Sequence, residues 1–143
     1  MRKSDKSIFD VVNAAIKRHS MDYNEWQKTR FWDAGDAAVK DFLSKKCEFT
    51  EGKIPIIYFF EDLDNWTVFS TRVIYYTKTG KFNEVAVADM EKYDIDIRVF
   101  KSSGKTSLMQ AITKDGKKHE FVYETGKPSV GAIYAAQTLI QVS

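Results

Sequence analysis

The spacing of apolar residues changes once along this chain, at Gly52: before it the period is helical, after it the period is two. Ile8, Val11, Val12, Ala15 and Ile16 fall on one helical face, behind a Ser7–Asp10 start that resembles a capping box. His19-Ser20 ends that element. Asp22 with Glu25 is a second cap-like start, and the spacing predicts a longer helix from there to about residue 46. Phe31, Ala34, Gly35, Ala38 and Phe42 form its stripe, with Trp32, Val39 and Leu43 beside it. Gly35 and the alanines invite close approach by another element, and so broad an apolar face needs a cover.

Beyond Gly52, residues 54–60 are apolar on both alternations. Ile54, Ile56, Tyr58 and Phe60 lie on one side, Ile57 and Phe59 on the other. Such a strand is covered on both faces, by the core of its own sheet and by the N-terminal helices. Further strand regions are predicted over 66–77, 82–88, 93–100, 107–113 and 118–123. Turn residues separate them: Lys78-Thr79-Gly80-Lys81, a corner at Asp89-Met90-Glu91-Lys92, a turn over 101–105 centred on Ser103-Gly104, and Asp115-Gly116. Gly126-Lys127-Pro128-Ser129 punctuates the chain. Pro128 or Ser129 then opens a final helix with Val130, Ile133, Tyr134, Gln137 and Ile140 at helical spacing.

The predicted class is α+β. An N-terminal helical pair precedes an antiparallel, strongly bent sheet or partly open barrel of six or seven strands, and a C-terminal helix closes it. Residues 1–143 read as one domain, with 1–47 a helical extension packed on the sheet and 54–142 the sheet plus its terminal helix.

Within that plan, Trp66-Thr67-Val68-Phe69-Ser70-Thr71-Arg72-Val73-Ile74-Tyr75-Tyr76 runs as an apolar strand, a small hydroxyl pair, a basic residue and another apolar run. It resembles the pattern of bacterial pleckstrin-homology-like (PH-like) domains. Residues 85–90, ahead of Glu91-Lys92-Tyr93, resemble the segment that follows it. The resemblance covers about residues 54–142 and leaves the N-terminal helices as an addition. It implies a binding fold, not a particular ligand. Lipid-binding members carry basic residues in the first inter-strand loop. The matching loop here, Glu61-Asp62-Leu63-Asp64-Asn65, is acidic and repels phosphate, so no strong phosphoinositide or membrane binding is expected.

The chain has 143 residues with 43% hydrophobic and 14% aromatic content, enough for a core. Its net charge of +2 gives no basic stripe, and no nucleic-acid partner is expected. The lysines at turn tips, Lys78, Lys81, Lys101, Lys105, Lys114, Lys117 and Lys118, read as charges that blunt a sheet's edges. Cys47 is the one cysteine, so no intrachain disulfide forms. Asp10 and Asn13 interrupt the first apolar run, which therefore does not read as a secretory signal, and a soluble cytoplasmic protein is expected.

Candidate chemistry is thin. Ser103-Gly104-Lys105-Thr106 resembles the end of a phosphate-binding loop. However, Val99 stands where that motif needs glycine, and Leu108, Gln110 and Ile112 alternate as a strand. Asp94 and Asp96 share a face with Arg98, as a solvated charged face does. His19 and His119 lack ligand-like neighbours. Cys47 beside Lys45 and Lys46 reads as structural. The large aromatics, from Trp26, Phe31 and Trp32 through Tyr58, Phe59 and Phe60 to Trp66, Phe69, Tyr75 and Tyr76, read as core. No catalytic, cofactor-binding or metal-ligating set is expected. The leading expectation is a non-catalytic binding or scaffolding module for a protein or peptide, self-association included. Two alternatives stand beside it. One is a cone-shaped, nuclear-transport-factor-like α+β fold with a ligand pocket lined by Trp26, Tyr58 and Asp94. The other is an immunity or anti-toxin type of protein antagonist.

Overall fold

The computed structural model describes residues 4–19, 26–49, 53–94, 106–125 and 127–142. Helix α1 (Asp5–His19) is followed by the short strand β1 (Thr29–Phe31), a 3-10 turn at Trp32–Ala34 and helix α2 (Ala37–Cys47). Strands β2 (Pro55–Asp62), β3 (Asn65–Ser70), β4 (Val73–Lys78) and β5 (Lys81–Ala86) form a meander. A 3-10 turn at Val87–Asp89 leads to β6 (Met90–Asp94), β7 (Thr106–Thr113), β8 (Lys118–Glu124) and helix α3 (Lys127–Val142). The five-stranded sheet has the order β1-β2-β3-β4-β5 and the second sheet β6-β7-β8, every pairing antiparallel. The fold is α+β with three helices and two sheets.

Several local expectations are corrected. The single bent sheet is two sheets, and they do not close into a barrel, because β5 and β6 are joined by the 3-10 turn and do not pair. The long second helix is shorter. Asp36 caps it by accepting from the Val39 N–H at 3.0 Å, so helix begins only at Ala37. Ahead of it, Thr29, Arg30 and Phe31 pair with Phe59, Tyr58 and Ile57 as an edge strand. Gly35 has a packing reason: a Cβ there would lie 2.6 Å from the Tyr58 ring, whose hydroxyl accepts from the Asp36 N–H at 3.0 Å. In α1 the cap is Ser4 rather than Ser7, its hydroxyl accepting from the Ser7 N–H at 3.1 Å, and Val11 is exposed. The region 66–77 divides at Thr71-Arg72. No glycine or proline marks that turn. Instead the Ser70 hydroxyl accepts from the Val73 N–H at 3.2 Å and donates to the Val73 carbonyl at 2.6 Å. In α3 the inward residues are Ala132, Ala135, Ala136 and Leu139; Ile133, Tyr134 and Ile140 flank them. The cap pair Asp22–Glu25, most of the 93–100 strand and the 101–105 turn lie outside the described residues.

Strand β2 is covered on both faces, as its two-sided apolar pattern requires. The two N-terminal helices do not pair, however; they take opposite sides. Leu43 and Cys47 of α2 cover Tyr58, Trp66, Val68 and Tyr75 on the outer face. Ile8, Val12 and Ile16 of α1 join the main core with Ile57, Phe69, Ile74, Phe121 and the inner face of α3. The sheets meet face to face. The Phe69 and Phe121 rings lie edge to face at 5.8 Å, and the buried Thr67 hydroxyl donates to the Val122 carbonyl at 2.6 Å. The N-terminal turn of α1 is tied to the β3–β4 turn by Asp5, which accepts from Arg72 Nε at 2.7 Å and the Thr71 hydroxyl at 3.0 Å.

At the end of β8, Glu124 is 2% exposed. Its carboxylate accepts from the Gln27 N–H at 3.2 Å, the Lys28 N–H at 2.8 Å and the Thr29 hydroxyl at 2.9 Å. This clamp joins the small sheet to the segment that enters β1. A buried donor left without its acceptor costs about 1–3 kcal/mol. Glu124→Ala is therefore expected to lower stability by roughly 3 kcal/mol, with Glu124→Gln, which keeps one acceptor oxygen, losing less. Urea unfolding midpoints at constant slope measure this; a loss below about 1 kcal/mol for Glu124→Ala contradicts the clamp.

Candidate functional site

The β4–β5 hairpin turns through Thr79 and Gly80, both left-handed at φ 48° and 81°, the two-residue turn that matches strand twist. Lys78 faces Lys81 across it, and the pairs Tyr76↔Asn83 and Ile74↔Val85 follow. In an antiparallel ladder, backbone groups alternate between the partner and the opposite side. Counted from the closing pair, the N–H and C=O groups of Phe82, Glu84 and Ala86 therefore point away from β4. Among the described residues no strand takes them up, since β5 is the end of its sheet. The side chains from Lys81 to Glu84 are exposed, Phe82 among them at 45%.

Where the sheets fail to close, β5 borders a cleft of about 380 Å³. Val85 and Ala86 form one wall and Thr113, Lys117 and His119 the other, with Glu84, Asp89 and Asp115 at its margin. The Lys114 N–H donates to the Asp89 carbonyl at 2.8 Å, which fixes the β7–β8 turn against the 3-10 turn before β6. Asp115 shapes that turn by accepting from the Thr113 hydroxyl, and from the Lys117 N–H at 3.2 Å. The Thr113 bond, then the Lys117 N–H, holds the Asp115 carboxyl below the usual carboxylate range. His119 Nδ1 lies 2.9 Å from the Tyr76 hydroxyl, and the two rings meet edge to face. Burial, followed by the Lys117 ammonium, pushes the His119 pKa down, which favours the neutral ring at pH 7.

The Thr113 hydroxyl is engaged in its own turn, and His119 is held by a tyrosine. Among the described residues, no group of three or more His, Cys, Asp and Glu side chains is placed to hold a metal ion.

The residues singled out from sequence are scattered. Asp94 is exposed on β6, and Asp96, Arg98 and residues 103–105 lie outside the described residues. His19 stacks on Tyr134 at 4.1 Å, where α1 meets α3. Cys47 is buried under α2, and burial, followed by Glu84, pushes its thiol up to about 12. Trp26 and Tyr58 are not brought together. They sit in different clusters on opposite faces of the large sheet, and the space beside Ile57, Phe59 and Tyr123 is only about 10 Å³, room for one water. The acidic loop is a turn in which Asp62 accepts from the Asp64 N–H at 2.9 Å and the Asn65 amide at 3.1 Å. Lys78 reaches Glu120 at 3.5 Å. The β5 edge and the meeting of Glu84, Asp89 and His119 went unread. Part of the signal was present, because Thr79-Gly80 sets which β5 residues face outward. Among the described residues, no helix is long and apolar enough to cross a membrane.

The chain matches no known protein family, no curated protein and no solved structure.

The lowered His119 pKa fixes the sign of a pH effect. The unfolded chain takes up this proton more readily than the folded one, so stability rises with pH through this range. The contribution is complete above about pH 6.5 and is lost as pH falls from there toward the folded value. Replacing His119 with Gln is expected to flatten the pH dependence of Tm between about pH 7.5 and 5. An unchanged slope in the variant contradicts the assignment.

Proposed function

We propose that this chain is a non-catalytic binding module of the PH-like type, and that it binds a partner protein by adding an extended segment to the β5 edge. The chain order supports the PH-like part of this reading. With β1 set aside as an N-terminal addition, four antiparallel strands (β2 to β5) are followed by three (β6 to β8) and a closing helix, in two facing sheets. The acidic Asp62–Asn65 turn speaks against phosphate as the ligand, since a carboxylate repels it.

The observation that carries the binding reading is the open β5 edge beside the cleft. Main-chain groups on a free edge supply affinity to an added strand, and pockets on alternate sides supply selectivity. The opposite corner shows the contrast. There the β8 end is met by the Thr67 hydroxyl and by the donors on Glu124.

Ala86 offers a clean test. Its φ of −70° and ψ of 130° suit proline, and its N–H points away from β4. Ala86→Pro removes one outward donor while leaving the β4 ladder intact, and its Tm is expected to stay within a few degrees of the parent. A displayed library of linear peptides panned against the full chain should enrich binders. Ala86→Pro should weaken those binders by about tenfold or more, the scale of a lost hydrogen bond in a desolvated interface. Failure to enrich any peptide, or equal binding by the proline variant, overturns the reading.

A further inference from the structure

The charges around the β5 edge specify the chemistry of its occupant: we infer that the added segment is basic, with Lys or Arg side chains on both of its faces. This inference rests on the β5-edge reading above and adds the partner's chemistry to it.

A strand laid against β5 sends its side chains alternately to the two faces of the sheet. On the α2 face it meets Phe82 and, two residues along, Glu84. The Phe82 ring stacks on Tyr75 at 6.4 Å and lies 5.8 Å from Trp66, which leaves its other side open. An exposed ring with a carboxylate beside it suits a guanidinium or ammonium, by cation–π attraction and ion pairing together. On the cleft face the segment meets Asp89 and Asp115. The cleft lining holds two carboxylates, from Asp89 and Asp115, against one ammonium, Lys117, while Glu84 carries its carboxylate on the α2 face. His119 adds no charge to offset them while its ring is neutral. An acidic segment would place like charges beside both faces of the edge, which costs affinity and slows encounter. Lys81, at the start of the strand, tempers the field at that end and favours Glu84, in the strand's far half, and Asp89 beyond it as the anchoring point.

The test uses three labelled heptapeptides with the full chain at about 50 mM NaCl, read by fluorescence anisotropy. The basic probe is Thr-Val-Arg-Lys-Arg-Val-Thr, the neutral one Thr-Val-Gln-Asn-Gln-Val-Thr and the acidic one Thr-Val-Glu-Asp-Glu-Val-Thr. The basic peptide is expected to bind about tenfold or more tighter than the neutral one, with the acidic peptide weakest. The double variant Glu84→Gln, Asp89→Asn should cut that advantage severalfold, and Ala86→Pro should weaken the basic peptide too. If the neutral or acidic peptide binds as well as the basic one and stays sensitive to Ala86→Pro, the charge inference fails while the edge reading stands. If the basic peptide binds but ignores Ala86→Pro, it sits elsewhere, and both fall. Binding by none of the three at millimolar peptide overturns the basic-segment inference, and the peptide library then judges the edge reading separately.

Discussion

The Glu124 carboxylate holds the parts of this fold in register. It is buried at the end of the last strand, and it accepts from the backbone of Gln27 and Lys28 and from the Thr29 hydroxyl. Burying a carboxylate is costly unless its lone pairs are filled, and here three donors from one short segment fill them. The consequence is long-range. The segment that enters β1 is fixed against the small sheet, so β1 can pair with β2 and extend the large sheet by one strand. Next to this segment, Trp26 packs on α3: a Cβ on Gly131 would lie 3.0 Å from that ring. One polar contact thus joins both sheets at the closed corner of the molecule.

The second constraint is the apolar character of β2. A strand with Tyr58 and Phe60 on one face and Ile57 and Phe59 on the other has no face to offer water. The chain meets this with two helices placed on opposite sides. Helix α2 brings Leu43 and Cys47 to the outer face. The opposite face is covered by the second sheet and α3, with α1 stacked on α3. A helical pair on the inner side would have left the outer face of β2, with Tyr58, exposed. The raised thiol of Cys47 and the raised hydroxyl of Tyr75, each about 12, report the same burial under α2.

These two constraints differ in how far sequence exposes them. The two-sided pattern of residues 54–60 is local, so the double cover was legible. So were α1, the meander from β2 to β5, the Thr79-Gly80 and Asp115-Gly116 turns and the terminal helix, whereas the corner expected over 89–92 is strand β6 from Met90 on. The division of 66–77 was only half legible, because its turn is closed by the Ser70 hydroxyl rather than by glycine or proline. Strand β1 was missed because three residues carry almost no period, and because its partner Phe59 is thirty positions away. Glu124 was invisible for the same reason: a lone Glu near a strand end looks solvated until its donors, almost a hundred residues earlier, are in place. The candidate site is less legible still. The cleft unites residues from β5, the following turn and the β7–β8 hairpin, and only the order of the strands says that these meet.

The contrast between the two corners bears on what the open one is for. At the Glu124 corner, side chains bridge between the sheets, with three donors on the Glu124 carboxylate and the Thr67 hydroxyl on the Val122 carbonyl. At the β5–β6 corner, the 3-10 turn at Val87–Asp89 carries the chain from one sheet to the other without a pairing, and among the described residues no strand takes up the outward groups of Phe82 and Glu84. A free edge invites indiscriminate pairing, and proteins blunt it with charge and short length. Strand β5 has the charge, with Lys81 and Glu84 exposed. Yet it keeps a half-exposed Phe82 stacked on buried aromatics, a feature that blunting alone does not require. Charges that discourage self-pairing also select what is admitted. Carboxylates on both faces raise the cost of most edges and lower it for one of opposite sign, so in the function proposed above the residues that protect the strand also select its partner.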